Sequence, residues 1–436
     1  MPIINIKQFN INSLRKQFSF NKPSNQKFSF EILFTLLIIL GIPLNLYQNR
    51  FYDNSWTVGE WLISYAGGFV RRGLPGELIH FISTKYSLGP IFIVWVFSIV
   101  SLVALILLVL NFCKNLFEKS FLLSQLIILA PLSENYFVRK DAFLVLLYGL
   151  SLLIMKALYH KSINKLIAVL SVNFISMVAI FSHESYGIWG LPSLLIIFSI
   201  FEKKGKKNIF QSFLCATLFL LPAILSFFLC WFFKGDINQS LMIHQSWQSL
   251  AEIIPSVSGL YEKDPSGAIA AIGWGTSQVF TSSLISQFNL FIFWHPGMWL
   301  LTIFISIRLF IGKKKDLNQQ LKRTIVCSQF VAFIPLFLFV DIGRWIFMWL
   351  TSSALLFSFL YQTFGSKKLS YFSSTLKGQQ ILAKTIPQFS SIRTYNYVLL
   401  FFGIPHCCWS LGRYLVSNPI GFGIKNIIFY TQFLFS

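Results

Sequence analysis

The sequence predicts an all-α polytopic membrane protein, and three features of composition and charge lead to that class. Of the 436 residues, 55% are hydrophobic and only 12% are charged, whereas soluble domains carry about 25% charged residues. Long apolar segments recur along the chain and alternate with short polar connections. The net charge is +21, and the basic residues gather in every second connection. Together these features predict about 11 transmembrane helices, short interfacial helices in the first outer loop and no soluble domain.

The basic N-terminal tail sets the predicted orientation. Residues 1–29 contain lysine and arginine but no acid, and such a flank stays in the cytoplasm under the positive-inside rule. The first span, at about 31–49, therefore leads outward, and no small-residue cleavage site of a signal peptide follows it. We expect an integral protein of a bacterial inner or plasma membrane, with a cytoplasmic N-terminus and an extracytoplasmic C-terminus.

The first outer loop, residues 50–87, has mixed polar and apolar character. We expect short interfacial helices at about 56–66 and 74–84, with Trp56 and Trp61 at the depth of the lipid headgroups.

The remaining spans come from apolar segments of sufficient length. They are predicted at about 88–112, 120–138, 141–158, 166–182, 186–201, 209–233, 288–311, 324–342, 345–363 and 395–416. A large outer loop covers 234–286, and the transmembrane bundle as a whole covers 30–416. The last residues, 417–436, form an outer C-terminal segment.

The distribution of charge supports this topology. It places 25 of the 36 lysines and arginines on the inner side, and 11 of the 15 acids on the outer side. The basic surplus is thus a topology signal and an attraction to anionic membrane lipids. It does not form a recognition patch, so we expect membrane lipids and no nucleic acid as partners.

Asp53 and Glu60 are the candidate catalytic residues of the first outer loop. Seven residues separate them, so two helical turns would place both on one face. A carboxylate at the lipid boundary loses water, which raises its pKa and suits a general base. The alternative is that both are solvated loop residues.

The motif GGFVRRGLPGE follows in the same loop and contains Arg71 and Arg72. Guanidinium groups bind phosphate through two parallel hydrogen bonds, and glycines let the backbone approach the ligand. The motif therefore predicts a phosphate site. The alternative pairs the arginines with Glu60, Glu77 or lipid phosphates. The nucleotide-binding patterns GxxxxGK[ST] and GxGxxG are absent from the sequence.

Further charged groups lie at the ends of predicted spans on the same outer face. They are Glu134, Arg139, Asp141, His183, Glu184, Asp341 and Arg344. We expect them to contribute to substrate and phosphate binding, since intramembrane charges are usually kept for pairing or chemistry. Each has a structural alternative: a salt-bridged turn around 134–141, a capping histidine, and an i,i+3 pair of Asp341 with Arg344. Histidine and carboxylates are also metal ligands, which leaves a divalent metal open without any zinc spacing to support it.

This arrangement resembles the integral-membrane glycosyltransferases of the C-type fold. That superfamily has a catalytic carboxylate in its first outer loop, matched here by Asp53 and Glu60. Some members carry another acidic motif in the second outer loop, matched here by Glu134 and Asp141. The resemblance covers the topology of about the first 230 residues, although the first loop has no adjacent pair of acids. O-antigen-type polysaccharide polymerases are also similar, in helix number and in their large outer loop.

The resemblance implies transfer of a sugar from a polyprenyl-phosphate-linked donor to a glycan or lipid acceptor at the extracytoplasmic face, in cell-surface polysaccharide biosynthesis. Asp53 or Glu60 would activate the acceptor hydroxyl, and Arg71 and Arg72 would hold the phosphate. The donor lipid and the glycan acceptor are the expected partners. An O-antigen-type polymerase and a lipid-linked glycan flippase are the alternatives. A flippase should carry charges at mid-bilayer depth, whereas the charges of this chain lie at span ends.

Overall fold

The fold is described from a computed structural model. The described residues are 55–113, 122, 127–128, 130–131, 137–202, 208–251, 264–274, 328–336, 342–364, 428 and 431. The regular elements among them are all helices, in agreement with the predicted class.

The helices are named here in chain order. They are α1 (Thr57–Trp61), α2 (Gly73–Tyr86), α3 (Pro90–Cys113), α4 (Asp141–Tyr159), α5 (Lys165–Ser182), α6 (Ser185–Trp189), α7 (Leu191–Glu202), α8 (Ile209–Phe219), α9 (Leu221–Phe232), α10 (Ile237–Ala251), α11 (Gly267–Ala270) and α12 (Ile342–Phe364). A 3-10 helix (Ala271–Gly273) follows α11, and residues 328–336 are also helical.

Several of these helices are long and apolar enough to cross a membrane. Within the described part of the chain they form five spans, or six if α8 and α9 count as one bent span. The five are Pro90–Cys113, Asp141–Tyr159, Lys165–Ser182, Ser185–Glu202 and Arg344–Phe364. An all-α membrane protein is therefore confirmed, but the predicted number of eleven spans is not. The predicted spans at 31–49, 288–311 and 395–416, and most of the one at 120–138, lie outside the described residues.

Helix α4 lies at the centre of the described bundle and packs against α3, α5 and α12. Its fully buried side chains include Leu144, Tyr148, Leu152 and Met155. These residues recur every three or four positions, so they form one face of the helix. Most of α12 is also enclosed by protein. The first residues of α4 and α12 are thereby held in fixed relation to the neighbouring helices.

The segment predicted as one span at 209–233 consists of two helices bent by 66°. Pro222 explains the break, because proline lacks the backbone N–H and its ring excludes the carbonyl four residues earlier. Asn173 of α5 satisfies the groups that the break exposes. Its amide donates to the Phe219 carbonyl at 2.6 Å, and its Oδ1 accepts from the Ala223 N–H at 3.3 Å. In lipid such groups need an internal partner.

The two short helices predicted in the first loop are present as α1 and α2, but the position of Trp61 differs from the expectation. We placed Trp61 beside the headgroups, whereas it is only 2% exposed and its indole N–H donates to the Val138 carbonyl. Trp56 is 43% exposed, as an interfacial residue would be. Helix α1 therefore packs into the protein interior instead of lying on its surface.

The long polar stretch at 234–286 is partly helical and packs on the first loop. The indole N–H of Trp247, in α10, donates to the Leu62 carbonyl at 2.7 Å. The Ala268 N–H, in α11, donates to the Ser55 carbonyl at 2.9 Å. The two loops thus form one folded cap at the end of the bundle where α4 and α12 begin.

Candidate functional site

A group of ionisable side chains converges beneath this cap, and we refer to it as the buried ion cluster. Its members are Glu60, Arg71, Arg72, Lys140, Asp141, His183, Glu184 and Arg344. They come from the first loop, the start of α4, the junction of α5 and α6, and the start of α12. Residues almost 300 positions apart in sequence meet there, so the fold creates a site that no local motif contains.

The cluster lies at one end of the spans and not at mid-depth. Asp141 is the first residue of α4, which has 19 residues and a length of about 28 Å at 1.5 Å per residue. Lys156, in the last turn of the same helix, binds Gln362 near the other end of α12 at 2.6 Å. Because the apolar core of a bilayer is about 30 Å thick, the buried ion cluster belongs at a membrane boundary.

Arg344 joins two acids in the interior. Its Nε and Nη2 donate to the two carboxylate oxygens of Asp141 at 2.8 and 2.7 Å. Nη2 also lies 3.4 Å from Oε1 of Glu60. The planar guanidinium suits this two-point contact, which an ammonium group cannot reproduce. Arg344 thereby links the start of α12 to the start of α4 and to α1.

Arg71 and Arg72 share a different acid, Glu184. Arg72 donates through Nε and Nη2 at 2.7 and 2.5 Å, and Arg71 donates through Nη1 at 3.2 Å. The two arginines hold the pKa of Glu184 well below its usual value, although burial by itself raises it. The arginine side chains stay 23% and 25% exposed. They are the part of the cluster nearest to solvent.

Lys140 holds the backbone that carries Arg72. Arg72 has a left-handed conformation with φ of 67°, which costs free energy for a residue with a side chain. The Lys140 ammonium donates to the carbonyls of Arg72 and Ser182, at 3.4 and 3.1 Å. Burial lowers the pKa of Lys140 to about 7, although Glu60 opposes this shift. The strained turn of the first loop is thus tied to the ends of α4 and α5.

His183 bridges the two halves of the cluster in its neutral form. Its Nδ1 accepts from the Ser185 N–H at 3.2 Å, so the ring proton is assigned to Nε2. Nε2 then donates to Oε1 of Glu60 at 3.3 Å. Burial and the charge of Arg72 lower the pKa of His183, which agrees with a neutral imidazole.

The Glu60 carboxylate is enclosed by protein, since the residue is only 3% exposed. Burial raises its pKa, but Arg344 and His183 outweigh burial and hold the pKa well below the usual value. We had expected a raised pKa for a carboxylate at the lipid boundary, and the shift of the Glu60 pKa is in the opposite direction. The cations that cause it come from distant parts of the sequence, so the first loop by itself could not predict them. Oε1 binds Arg344 and His183, whereas Oε2 is buried and has no hydrogen-bond partner among the described residues.

Most of the site residues predicted from sequence meet in this cluster. Those present are Glu60, Arg71, Arg72, Asp141, His183, Glu184 and Arg344. Arg139 is buried nearby and acts electrostatically on Glu60. Asp53, Glu134 and Asp341 lie outside the described residues. Helix α1 begins at Thr57, and the alignment of Asp53 with Glu60 falls outside the described residues.

The two arginines of the first loop are paired with an acid from outside that loop. Arg71 and Arg72 bind Glu184 and not Glu77, whose carboxylate accepts from the Tyr65 N–H. Lys140 was not among the predicted site residues. Its position between Arg139 and Asp141, in a charged turn before a span, was the available signal. No group of three or more histidine, cysteine, aspartate or glutamate side chains that could hold a metal occurs within the described ranges.

Comparison with known proteins gives one match. Residues 30–251 match the family described as "Uncharacterised membrane protein Rv1490". No curated protein and no solved structure matches the chain. The matched residues cover half of the chain and include every member of the buried ion cluster except Arg344. Together with the apolar helical spans, the match establishes an integral membrane protein. The chain belongs to the Rv1490 family of membrane proteins.

Proposed function

We propose that this protein is a membrane glycosyltransferase. It moves a sugar from a polyprenyl-phosphate-linked donor to a hydroxyl of a glycan or lipid acceptor, at the extracytoplasmic face. The reaction would serve cell-surface polysaccharide biosynthesis. The buried ion cluster is the proposed reaction site, because it combines a carboxylate oxygen, Oε2 of Glu60, that could accept a proton with two partly exposed arginines that could bind a phosphate.

Oε2 of Glu60 is the observation that carries the proposal. Within the described part of the chain it is a buried carboxylate oxygen without a hydrogen-bond partner, and leaving such an acceptor unsatisfied costs about 1–3 kcal/mol or more. We infer that a ligand supplies the missing hydrogen bond here, since unsatisfied buried groups and perturbed carboxylates occur at catalytic sites. The hydroxyl group of a sugar or lipid acceptor is such a donor.

The arginines provide the complementary site for a phosphate. A guanidinium has five N–H donors. Arg72 uses its Nε and Nη2 on Glu184 and Arg71 uses its Nη1. Among the described residues, nothing else engages Nη1 of Arg72 or Nε and Nη2 of Arg71, and these donors would bind an anion. Both side chains are partly exposed. A phosphate ester anchored in the membrane by its lipid chain would approach at this depth.

The proposed reaction is a displacement at the anomeric carbon of the donor sugar. The acceptor oxygen forms a bond to that carbon as the bond from the carbon to the donor phosphate oxygen breaks. The polyprenyl phosphate leaves with the electron pair and is stabilised by Arg71 and Arg72. The proton of the acceptor hydroxyl passes to Oε2 of Glu60.

A low pKa makes Glu60 a weak base, and we expect binding of the donor to raise that pKa. The low pKa has its cause in nearby cations, above all Arg344. A phosphate placed beside Arg71 and Arg72 adds negative charge close to the cluster, and a nearby like charge raises the pKa of a carboxylate. Glu60 would therefore become a better proton acceptor only when the donor is bound.

The same site could serve a polymerase that joins lipid-linked repeat units. The packing of α10 and α11 on the first loop favours this second candidate, because it places the large loop directly over the reaction site. The products distinguish the two: a transferase adds one sugar to each acceptor, whereas a polymerase yields a ladder of repeat units.

The test is transfer of radiolabelled sugar from polyprenyl-phosphate donors by the purified protein in phospholipid nanodiscs. Glu60→Gln keeps the shape of the side chain and should lower turnover by about 100-fold or more, as loss of a general base does. Arg71→Gln should raise the KM for the donor, because it removes phosphate contacts. Glu77→Gln and Lys85→Gln are the matched controls, since both residues are exposed members of the same loop outside the cluster.

Thermal unfolding of each variant separates loss of chemistry from loss of fold. The proposal predicts a Glu60→Gln protein that is folded but inactive, next to controls with wild-type turnover. Wild-type turnover in both Glu60→Gln and Arg71→Gln would remove the cluster from the reaction. No transfer by the wild-type protein from any polyprenyl-phosphate sugar donor would reject the activity itself.

A further inference from the structure

A pocket of about 600 Å³ lies beside the buried ion cluster, at the start of α10. Its lining residues are Lys234, Gly235, Asp236, Ile237, Asn238, Gly273 and Trp274. The volume falls within the range of about 300–1,000 Å³ that is usual for small-molecule sites. None of these residues belongs to the cluster, so the pocket is a separate feature of the cap.

The pocket combines an aromatic wall with polar groups. Trp274 is 40% exposed, and the ring of Trp56 packs edge-on against it with centroids 5.6 Å apart. The Asn238 side chain, in the first turn of α10, is exposed. Oδ1 of Asp236 accepts from the Gln239 N–H at 2.8 Å, which fixes the carboxylate at the pocket edge. An indole face beside an amide and a fixed carboxylate suits a ligand with one apolar face and a polar rim.

The charge of the pocket argues against an anion as its occupant. Lys234 and Asp236 contribute one positive and one negative charge, so the lining is formally neutral. A phosphate or an anionic lipid headgroup would be favoured by a cationic lining, as the neighbouring arginines provide. A pyranose ring fits better, because it is uncharged, carries C–H groups on one face and has hydroxyls around its edge.

The pocket is joined directly to the arginine turn of the first loop. The Arg71 N–H donates to the carbonyl of Phe233 at 3.0 Å, one residue before the pocket begins. Gly235 has φ of 92°, and a Cβ there would lie 2.1 Å from Ile272 and 2.7 Å from Val70. This close approach requires glycine and keeps the pocket wall pressed against the residue that precedes Arg71.

We propose that this pocket is a carbohydrate subsite that binds one pyranose unit against Trp274, with hydrogen bonds from its hydroxyls to Asn238 and Asp236. Its place in catalysis, holding a sugar of the glycan next to the phosphate bound at Arg71, rests on the proposed function. The binding of a sugar by the pocket does not.

The test is saturation-transfer NMR on the purified protein in phosphatidylcholine nanodiscs. The probes are the methyl glycosides of glucose, galactose, mannose and N-acetylglucosamine, each at millimolar concentration. Wild-type protein should saturate at least one of them. Trp274→Ala and Asn238→Ala should each weaken that signal by about fivefold, the scale of one aromatic or hydrogen-bond contact. Phe232→Ala is the control, since Phe232 is an exposed aromatic residue of α9 that does not line the pocket.

Asn238→Ala keeps the test decisive if Trp274→Ala fails to fold, because the Asn238 side chain is exposed and substitutions at exposed positions usually change stability little. The subsite is refuted if no glycoside is saturated by wild-type protein, if the two pocket variants match wild type, or if inorganic phosphate displaces the glycoside. Glycoside binding by a wild-type protein that transfers no sugar from any polyprenyl-phosphate donor would retain the subsite and reject the proposed transferase.

Discussion

At the scale of single residues, Arg344 has the largest structural role in the buried ion cluster. It contacts both Asp141 and Glu60, and all three side chains are at most 7% exposed. Removing one partner of a buried ion pair leaves the other charge uncompensated in a medium that cannot solvate it. The cost of losing Arg344 is therefore set by the two carboxylates that stay behind.

We expect Arg344→Met to lower the free energy of unfolding by about 3–5 kcal/mol, as for other broken buried pairs. Adding Asp141→Asn should restore part of the loss, because it removes one of the stranded charges and the two sites are directly coupled. The free energies of unfolding of the single and the double variant are measured in mixed micelles. Lys85→Met is the exposed control and should change stability by no more than about 0.5 kcal/mol. Additive effects of the two cluster substitutions would contradict the pairing.

Because Lys140 is buried, we expect the free energy of unfolding to depend on pH. Burial lowers the pKa of Lys140 to about 7 in the folded protein, whereas the unfolded chain keeps its proton up to about 10.4. Between these values the unfolded state binds more protons. The free energy of unfolding therefore rises with pH from about 7 upward.

The expected slope from this one group is at most about 1.4 kcal/mol per pH unit. The Lys140→Met variant should lose it. The measurement is the midpoint of thermal unfolding from pH 6 to pH 9, for wild type and variant side by side. Glu60, Arg72, Glu184 and Arg344 also face Lys140, and they are common to both proteins, so the difference between the curves isolates the lysine. Parallel curves would show that Lys140 keeps its proton.

At the scale of elements, the packing of α2 against the end of α1 positions the arginine turn. Gly76, in the first turn of α2, lies so close to the preceding chain that a Cβ would be 2.0 Å from the Ile63 carbonyl oxygen. Backbone cannot move aside as a flexible side chain can. Any larger residue must push α2 away from α1, and Arg71 and Arg72 precede α2 directly.

Gly76→Ala should therefore displace the arginine turn, with a loss of stability of about 1–3 kcal/mol as in other overpacked sites and a matching loss of donor binding. Gly59→Ala is the control within α1, because a Cβ there meets only Ala268, at an ordinary 3.8 Å. Thermal unfolding and the transfer assay report both effects. Equal behaviour of the two variants would show that the α1–α2 contact does not position the arginines.

The elements also show how far sequence reasoning reaches. Long apolar segments gave the spans at 141–158 and 166–182 to within a residue or two, because length and hydropathy determine what crosses a bilayer. The bend within 209–233 was missed, although Pro222 was a visible signal. Burial of Trp61 had no such signal, since its partner, the Val138 carbonyl, is 77 residues away.

At the scale of the whole molecule, the topology predicted from the sequence placed the candidate charged residues at one end of the bundle. It did not predict which of them would form ion pairs. Spacing suggested acids of the first loop as partners of Arg71, whereas Glu184 is 113 residues away. Arg344 contacts Asp141 at a separation of 203 residues, and its suggested neighbour Asp341 lies outside the described residues. The lowered pKa of Glu60 was also not predictable from neighbouring residues, because it depends on cations that tertiary packing brings close to the carboxylate. Sequence thus predicts which groups gather at a boundary, and the packing of helices decides which of them bind each other.

Sidedness is the property of the whole molecule on which the proposed chemistry depends. Polyprenyl-linked sugars are needed as donors where nucleotide sugars are absent, so the cap over α4 and α12 must face outward. Basic residues lie at the opposite end of the described bundle, at Lys156, Lys161 and Lys165, and the positive-inside rule predicts that this end faces the cytoplasm. We expect a membrane-impermeant maleimide to modify Glu77→Cys but not Ser162→Cys in spheroplasts, in a chain whose six native cysteines are replaced by alanine. Inverted vesicles should show the opposite pattern, because both positions are exposed on the protein surface. Modification of Ser162→Cys in spheroplasts would place the buried ion cluster on the cytoplasmic side, where a lipid-linked donor has no advantage over a soluble nucleotide sugar.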